Sequence, residues 1–290
     1  MRADVAELIA AHSAAGRRFA AAEVRSFVRE QGSGPVVLLV HGVPTSSFLY
    51  RKVIAALADQ GLRAVAFDFP GLGLADRPRG FDYSWSGLAR WMGAAVDALE
   101  IDRCHLVVHD IGGPVGCEWA IRHPDRVLSL TALNTLLDPG TFHRPWVMHP
   151  FSIRGIGELW LRATPKPLFA ALFRHLGVVD RGAVSTAELY AYRELLTRLD
   201  GGRAFLRIMR GFELTERKRR FLWEGLAERS YPARVVWGER DPALGLDQLR
   251  IVQRVLGVED PVLLPAKHFL QEDQATAVAY AIADLVAPLG

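Results

Sequence analysis

Val107-Val108-His109-Asp110-Ile111-Gly112-Gly113 passes from a hydrophobic run straight into an amphipathic stretch, with glycine at the bend. A sharp strand-to-helix turn lifts its central side chain, here Asp110, clear of the backbone, and a small residue two places later lets the helix pack closely. Taken alone, Asp110 reads equally well as a cap on the helix that follows, because Asp favours that position. The surrounding chain supplies the context. Val36 to Val40 and Arg63 to Phe67 read as short buried strands separated by an amphipathic stretch, Phe48 to Asp59. A Gly/Pro-rich loop, Asp68 to Arg79, leads to a helical stretch, Ser84 to Leu99. The strand His105 to Val108, the helix Gly113 to Arg122 and the strand Val127 to Leu133 complete the run. Such alternation predicts a mostly parallel sheet with helices on both faces.

From Asn134 to Tyr231 the alternation stops, and the pattern is helical with no convincing strand. It resumes with Arg234 to Trp237 as a strand, Leu246 to Val255 as a helix, Pro261 to Leu264 as a strand and Gln274 to Leu285 as a helix. The expected organisation is therefore an α/β core from 1–134 and 232–290, with a helical lid inserted at 135–231. Inserted between two strands of one sheet, the lid would sit over the strands' carboxyl ends, where open α/β sheets bind ligands.

The composition agrees with a globular chain: 290 residues, half of them apolar, with 35 basic against 32 acidic side chains. It excludes disordered, fibrous and collagen-like classes. The net charge of +3 is weak, and the one dense basic run, Arg217-Lys218-Arg219-Arg220, reads as a solvated helix face. No nucleic-acid partner is expected. Cys104 and Cys117 lie in hydrophobic stretches and read as buried free thiols, which suits a reducing compartment. Met1 to Phe19 carries charges at Arg2, Asp4, Glu7, Arg17 and Arg18, unlike a secretory leader, and no window matches a membrane span. A cytoplasmic protein acting on a small molecule is the expectation.

Two further residues give Asp110 its partners. Asp241 follows the strand ending at Trp237, in Gly238-Glu239-Arg240-Asp241-Pro242, and His268 follows the last strand, in Pro265-Ala266-Lys267-His268-Phe269. Each alone is an ordinary loop residue. Together they stand just beyond strand ends in the order nucleophile, acid, histidine, which is the chain order of an α/β-hydrolase triad.

On these residues the chain resembles the α/β-hydrolases of the haloalkane dehalogenase and epoxide hydrolase group. His41-Gly42-Val43-Pro44-Thr45-Ser46-Ser47 is similar to their oxyanion loop, and Asp68-Phe69-Pro70-Gly71-Leu72-Gly73-Leu74-Ala75-Asp76-Arg77-Pro78 to their next loop. His109 to Gly113 is similar to their aspartate elbow, and His268 to Asp273 to their histidine segment. In the lid, Glu188 to Asp200-Gly201 and Glu216 to Phe221 resemble the mesoderm-specific transcript proteins of vertebrates. The resemblance implies an aspartate nucleophile, Asp110, which attacks a saturated carbon to form an alkyl ester. His268, oriented by Asp241, then activates water to cleave it. No cofactor or metal is implied. Side-chain chemistry agrees: an ionised carboxylate needs no base to attack, whereas attack on an acyl carbon would only exchange one acyl bond for an anhydride. The backbone N–H groups of Val43 and Ile111 are the expected oxyanion donors.

The side chains at those two positions depart from the dehalogenase pattern, which usually has Trp after the nucleophile and often Asn where Val43 stands. Both supply hydrogen bonds to the departing halide, and neither Ile111 nor Val43 can. Epoxide hydrolases instead use two lid tyrosines, and Tyr190 and Tyr192, two apart on a helix, do not share a face. Trp146, Trp160, Tyr190 and Tyr192 are the candidate pocket residues of the lid, with His143 and His149 as further donors. Asp138 could replace Asp241 as the acid, although Asp138-Pro139-Gly140 also explains itself as a turn. The reading is a dehalogenase-like hydrolase, with an epoxide hydrolase as its first alternative. A ligand-binding protein that keeps the fold without turnover is the alternative of another class.

Overall fold

A computed structural model describes residues 2–289. The chain opens with helix α1 (Arg2–Ala14) and a hairpin of β1 (Gly16–Ala21) and β2 (Val24–Gln31). Then come β3 (Val36–Val40), α2 (Arg51–Ala58), β4 (Arg63–Phe67), α3 (Trp85–Ala98), β5 (Cys104–Asp110), α4 (Gly112–Arg122) and β6 (Val127–Thr135). Five helices follow, α5 (Ile156–Ala163), α6 (Lys166–Gly177), α7 (Thr186–Thr197), α8 (Arg203–Arg210) and α9 (Glu216–Ala227). The last part is β7 (Ala233–Gly238), α10 (Leu246–Leu256), β8 (Val262–Leu264), the single turn α11 (Leu270–Asp273) and α12 (Ala275–Val286).

The eight strands make one sheet in the order β1-β2-β4-β3-β5-β6-β7-β8. β1 and β2 are antiparallel, β2 meets β4 antiparallel, and every pairing from β4 to β8 is parallel. Because successive side chains of a strand point to opposite faces, each central strand feeds two cores. Leu38, Val40, Leu106, Val108, Leu130, Ala132 and Val235 pack with residues of α3, α4 and α10. Val37, Leu39, Val107, Leu133 and Val236 pack with those of α2 and α12. Burial on both faces explains why these strands read as continuous apolar runs instead of alternating.

The order reverses at β3, with β4 on one side and β5 on the other. Chain leaving the carboxyl ends of β3 and β5 therefore diverges and opens a crevice, the usual ligand position in such sheets. The whole stretch between β6 and β7 contains helices and no strand among the described residues.

Some expectations change. The stretch Phe48 to Asp59 is helical only from Arg51, entered through a 3₁₀ turn, Ser47–Tyr50, that Ser46 caps by accepting the Phe48 N–H at 3.3 Å. α1 and the hairpin left no clear sequence signal, since α1 has no apolar stripe at helical spacing and β1 reads GRRFAA. Lys218 corrects the view of Arg217–Arg220 as a solvated face, because it is buried between Glu118 and Glu213. Cys104 and Cys117 are buried free thiols. Among the described residues no helix is long and apolar enough to cross a membrane.

Candidate active site

β5 ends at Asp110 and α4 begins two residues later, so the elbow is a single-residue bend. Asp110 adopts φ +53°, a left-handed conformation that costs a non-glycine residue about 1–3 kcal/mol. The close approach that makes the bend possible leaves no room for a side chain at Gly112, whose Cβ would lie 2.6 Å from the Val40 carbonyl. A Cβ on Gly42 would overlap the Asp110 carboxylate itself. The cap reading of Asp110 fails on this geometry: its Oδ1 accepts the Val43 N–H from the β3 loop, at 2.7 Å. The Ile111 N–H is also directed at the carboxylate.

His268 lies beside the other oxygen. Its Nε2 is 3.7 Å from Asp110 Oδ2, and its Nδ1 is 2.8 Å from Asp241 Oδ2. A carboxylate only accepts, so Nδ1 carries the proton and Nε2 faces Asp110. Asp241 has a full set of donors. Oδ1 accepts from the N–H groups of Ala243 and Leu244, at 2.7 and 3.1 Å, and Oδ2 also accepts from Asn134 Nδ2 at 2.8 Å. Asn134 closes the frame by accepting the Gly238 N–H at 2.7 Å. Asn134 is a site residue that sequence reading missed, since an asparagine at a strand end has the look of a turn former.

Burial raises the Asp110 carboxyl above its ordinary value, against the pull of His268 and of the Ile111 and Val43 N–H groups. Burial also opposes a charge on His268, but Asp241, through its charge and its hydrogen bond, and Asp110 together lift the imidazole above its usual range. The neighbouring histidines are structural. His109 Nε2 donates to the His268 carbonyl at 2.9 Å, and burial holds this imidazole neutral, well below its ordinary value. His41 accepts the Phe69 N–H at Nε2 and so donates from Nδ1 to the Gly42 carbonyl. These bonds tie the loop after β3 to the loop after β4. Asp138 is occupied elsewhere, in a turn with the Gly140 N–H and in a bond from Arg219.

Asp110 and His268 open into a cavity of about 340 Å³, walled by Val43, Pro44, Pro242, Leu244 and Phe269 from one side and by residues 142–212 from the other. Of the candidate pocket residues, Trp146 and Trp160 line it. Tyr190 and Tyr192 do not, which corrects the expectation for both. The Tyr192 hydroxyl is buried instead against Glu272, inside a network with Arg51 and Glu188. Ile111 is not a wall residue either, because its side chain belongs to the core. His143 and His149 are exposed and lie outside the wall.

Residues 35–275 match the family model described as the alpha/beta hydrolase fold. A haloalkane dehalogenase of Mycobacterium tuberculosis, Haloalkane dehalogenase 2, is 33% identical over 267 residues, covering 87% of this chain and 88% of its own. The chain belongs to the α/β-hydrolases of the haloalkane dehalogenase and epoxide hydrolase group. Among solved structures, DBJA superposes on this α/β-hydrolase with a TM-score of 0.80 at 24% identity, over 94% of this chain and 97% of that one. A Vigna radiata epoxide hydrolase mutant does so with 0.78 at 21% identity, over 94% and 98%. At those identities the two structures speak for the shared fold alone.

Proposed function

We propose that this α/β-hydrolase cleaves a carbon–heteroatom bond at a saturated carbon through an ester on Asp110, in the manner of a haloalkane dehalogenase and without a cofactor. The observation that carries this reading is the unequal occupation of the two Asp110 oxygens. Oδ1 is held by the Val43 N–H at 2.7 Å, while Oδ2 is left facing the cavity and His268. Oδ2 attacks the carbon, the bond to the leaving group breaks, and the leaving group departs with the electron pair. Oδ1 becomes the ester carbonyl oxygen, already seated on its donor.

In the second step water attacks the Asp110 carbonyl carbon while His268 Nε2 takes the proton. The negative charge collects on Oδ1, where the Val43 and Ile111 N–H groups receive it. Collapse breaks the bond between the carbonyl carbon and Oδ2, the alcohol leaves with Oδ2 and the proton from His268, and the new Asp110 carboxyl, which holds the water's oxygen, releases its remaining proton to solvent to restore the carboxylate. Ester formation also prepares the base. Asp110 loses its charge as an ester, and one of the influences that favour a protonated His268 goes with it.

The choice of halide over epoxide as the substrate class is supported by the wall. No tyrosine lines the cavity among the described residues, so a hydroxyl pair for an epoxide oxygen is lacking. The indole N–H of Trp160 is spent on the Val147 carbonyl at 3.2 Å. Trp146, the other indole of the wall, is largely exposed at its rim. With Val43 and Ile111 where donors are usual, weak activity on simple haloalkanes is expected.

The test is intact mass of a His268→Gln variant incubated with a panel of alkyl halides and epoxides, followed by peptide mapping. An adduct on Asp110 that carries the alkyl group supports the reading. A hydroxyalkyl mass increment would make it an epoxide hydrolase. A folded protein with no adduct across the panel would favour the ligand-binding alternative.

A further inference from the structure

The cavity wall holds a single arginine and no lysine among the described residues, and that arginine, Arg144, is under-used. A guanidinium has five N–H donors. Here one of them, on Nη2, reaches a protein acceptor, the Met209 carbonyl at 3.0 Å. Nε is buried with no partner at all. Burial pulls the group below its ordinary value, and no neighbouring carboxylate acts in the other direction. The group lies over the Phe212 ring, with Cζ 4.7 Å from the ring centroid. Arg210 and Arg219 of the same insertion pair with Glu158 and Asp138, and Arg174 and Arg193, which have no carboxylate partner among the described residues, are each held by two neutral oxygens.

We infer that Arg144 is the anchor for a carboxylate on the substrate, which makes this a hydrolase for small acids bearing a leaving group at their far end. This rests on the aspartyl chemistry proposed above and adds the substrate class to it. A half-buried cation with no anionic partner recovers only part of its lost hydration from a carbonyl and a ring, so an arriving anion gains more there than at a solvated arginine. The terminal donors of a guanidinium lie in one plane as a fork that matches the two oxygens of a carboxylate, a better fit than a spherical halide. Asp110 supplies the second half of the recognition. It stands on the sheet side of the cavity, and Arg144 belongs to the insertion that forms the other side. Like charge keeps the substrate carboxylate away from Asp110, so the opposite end of the molecule is presented to Oδ2. Between the two charges the wall is almost wholly apolar, as with Phe151, Phe169, Leu172 and Phe205. That suits an alkyl chain. The volume, about 340 Å³, is at the small end of ligand pockets.

Calorimetric titration of the wild type with hexanoate and with hexan-1-ol tests the anchor without any chemistry at Asp110. Hexanoate should bind at least about tenfold more tightly, and the preference should disappear in folded Arg144→Gln and survive in part in Arg144→Lys. Equal binding of the acid and the alcohol by the wild type would overturn the anchor whatever the variants do. So would a preference that Arg144→Gln keeps. The same His268→Gln trap separates the two proposals, using 6-bromohexanoate against 1-bromohexane. Faster labelling by the acid supports both. Labelling by the neutral bromide alone overturns the anchor and leaves the aspartyl reading standing. Tight hexanoate binding with no label from either bromide supports the anchor and counts against the aspartyl ester. Arg144→Gln slowing both bromides equally would make Arg144 a leaving-group donor and overturn the carboxylate assignment.

Discussion

Replacing Asn134 by Ala should destabilise the protein out of proportion to the size of the change. Asn134 is fully buried and joins two strands' ends through three bonds, of 2.7, 2.8 and 3.3 Å. Its amide donates to the Asp241 carboxylate, and a bond to a charged group contributes about 1.5–3 kcal/mol. Its carbonyl accepts the Gly238 N–H, and leaving that buried donor unmatched costs about 1–3 kcal/mol more. The backbone adds a smaller term. At φ +24° Asn is better tolerated than Ala, by something on the order of 1 kcal/mol. The sum is about 3.5–7 kcal/mol, a large part of the roughly 5–15 kcal/mol that holds a native protein together. Tm should fall by about 6–15 °C, read by circular dichroism or calorimetry. Asn134→Asp is the sharper variant because it keeps shape and replaces the donor with a second carboxylate. Two carboxylates at that distance hold a proton that the unfolded chain releases at lower pH, so stability is regained as pH falls and lost as it rises. A loss under about 1 kcal/mol for Asn134→Ala, or an Asn134→Asp variant equally stable from pH 5 to 7, would refute the claim that Asn134 positions the acid.

Gly42→Ala should leave a folded protein with little labelling of Asp110 in the His268→Gln background, since the new Cβ displaces the nucleophile. A misplacement near 1 Å costs about a hundredfold in rate, and labelling within about threefold of the parent would show that the carboxylate relocates freely. Glu272→Ala should cost about 3–5 kcal/mol, because Arg51, Lys52 and Tyr192 all converge on that buried carboxylate. Since Tyr192 and Glu188 belong to α7, limited proteolysis of this variant should cut first within 156–227, and a first cut in the sheet would contradict the role. Buried His12 is lowered from 6.5 to about 4, so between those values the unfolded chain binds a proton that the folded one refuses. Stability should decline as pH falls from about 6.5 to 4, by up to about 3 kcal/mol from this group. A His12→Asn variant with an equally steep pH dependence of Tm would assign the decline elsewhere.

The convergence of Asp110, Asp241 and His268, the proposed nucleophile, acid and base, was legible because each lies within a few residues of a strand end, and strands announce themselves by local apolar runs. Asp110, Asp241 and His268 needed only the order of elements to be brought together. The pocket was not legible in the same way. Its wall draws on Phe142, Arg144, Trp146 and Phe212 and on parts of α5, α6 and α8, helices whose periodicity says which residues are apolar but not what each face meets. Tyr192 shows the difference: its sequence position suggested a pocket hydroxyl, whereas the Arg51–Glu272 network, made by residues 141 and 80 places away, claims it. Arg144 could have been noticed as an isolated cation in an aromatic stretch, Phe142-His143-Arg144-Pro145-Trp146. Only the absence of a carboxylate partner gives that cation a meaning, and absence of a contact has no sequence signature.

Backbone strain locates the rigid half of the site. Asp110 and Asn134 both adopt positive φ without being glycine, and they stand at the carboxyl ends of β5 and β6, neighbours in the sheet. Such conformations persist only where the surroundings over-determine them. Thr135 Oγ1 donates to the Asp110 carbonyl at 2.6 Å, Val43 fixes its side chain, and Asp241 with Gly238 fixes that of Asn134. Every one of these partners lies in the sheet or its loops, and none in 156–227. The machinery proposed for ester formation and hydrolysis is thereby held independently of the insertion, while the insertion supplies most of the cavity wall. Kinetics should divide along the same line. Substitutions at Arg144, Trp146 or Phe212 should change KM and the ranking of substrates while sparing hydrolysis of an ester once formed. Substitutions at Asn134 or Asp241 should slow that hydrolysis for every substrate alike, and the two groups of variants exchanging these signatures would show that the site is not built in two parts.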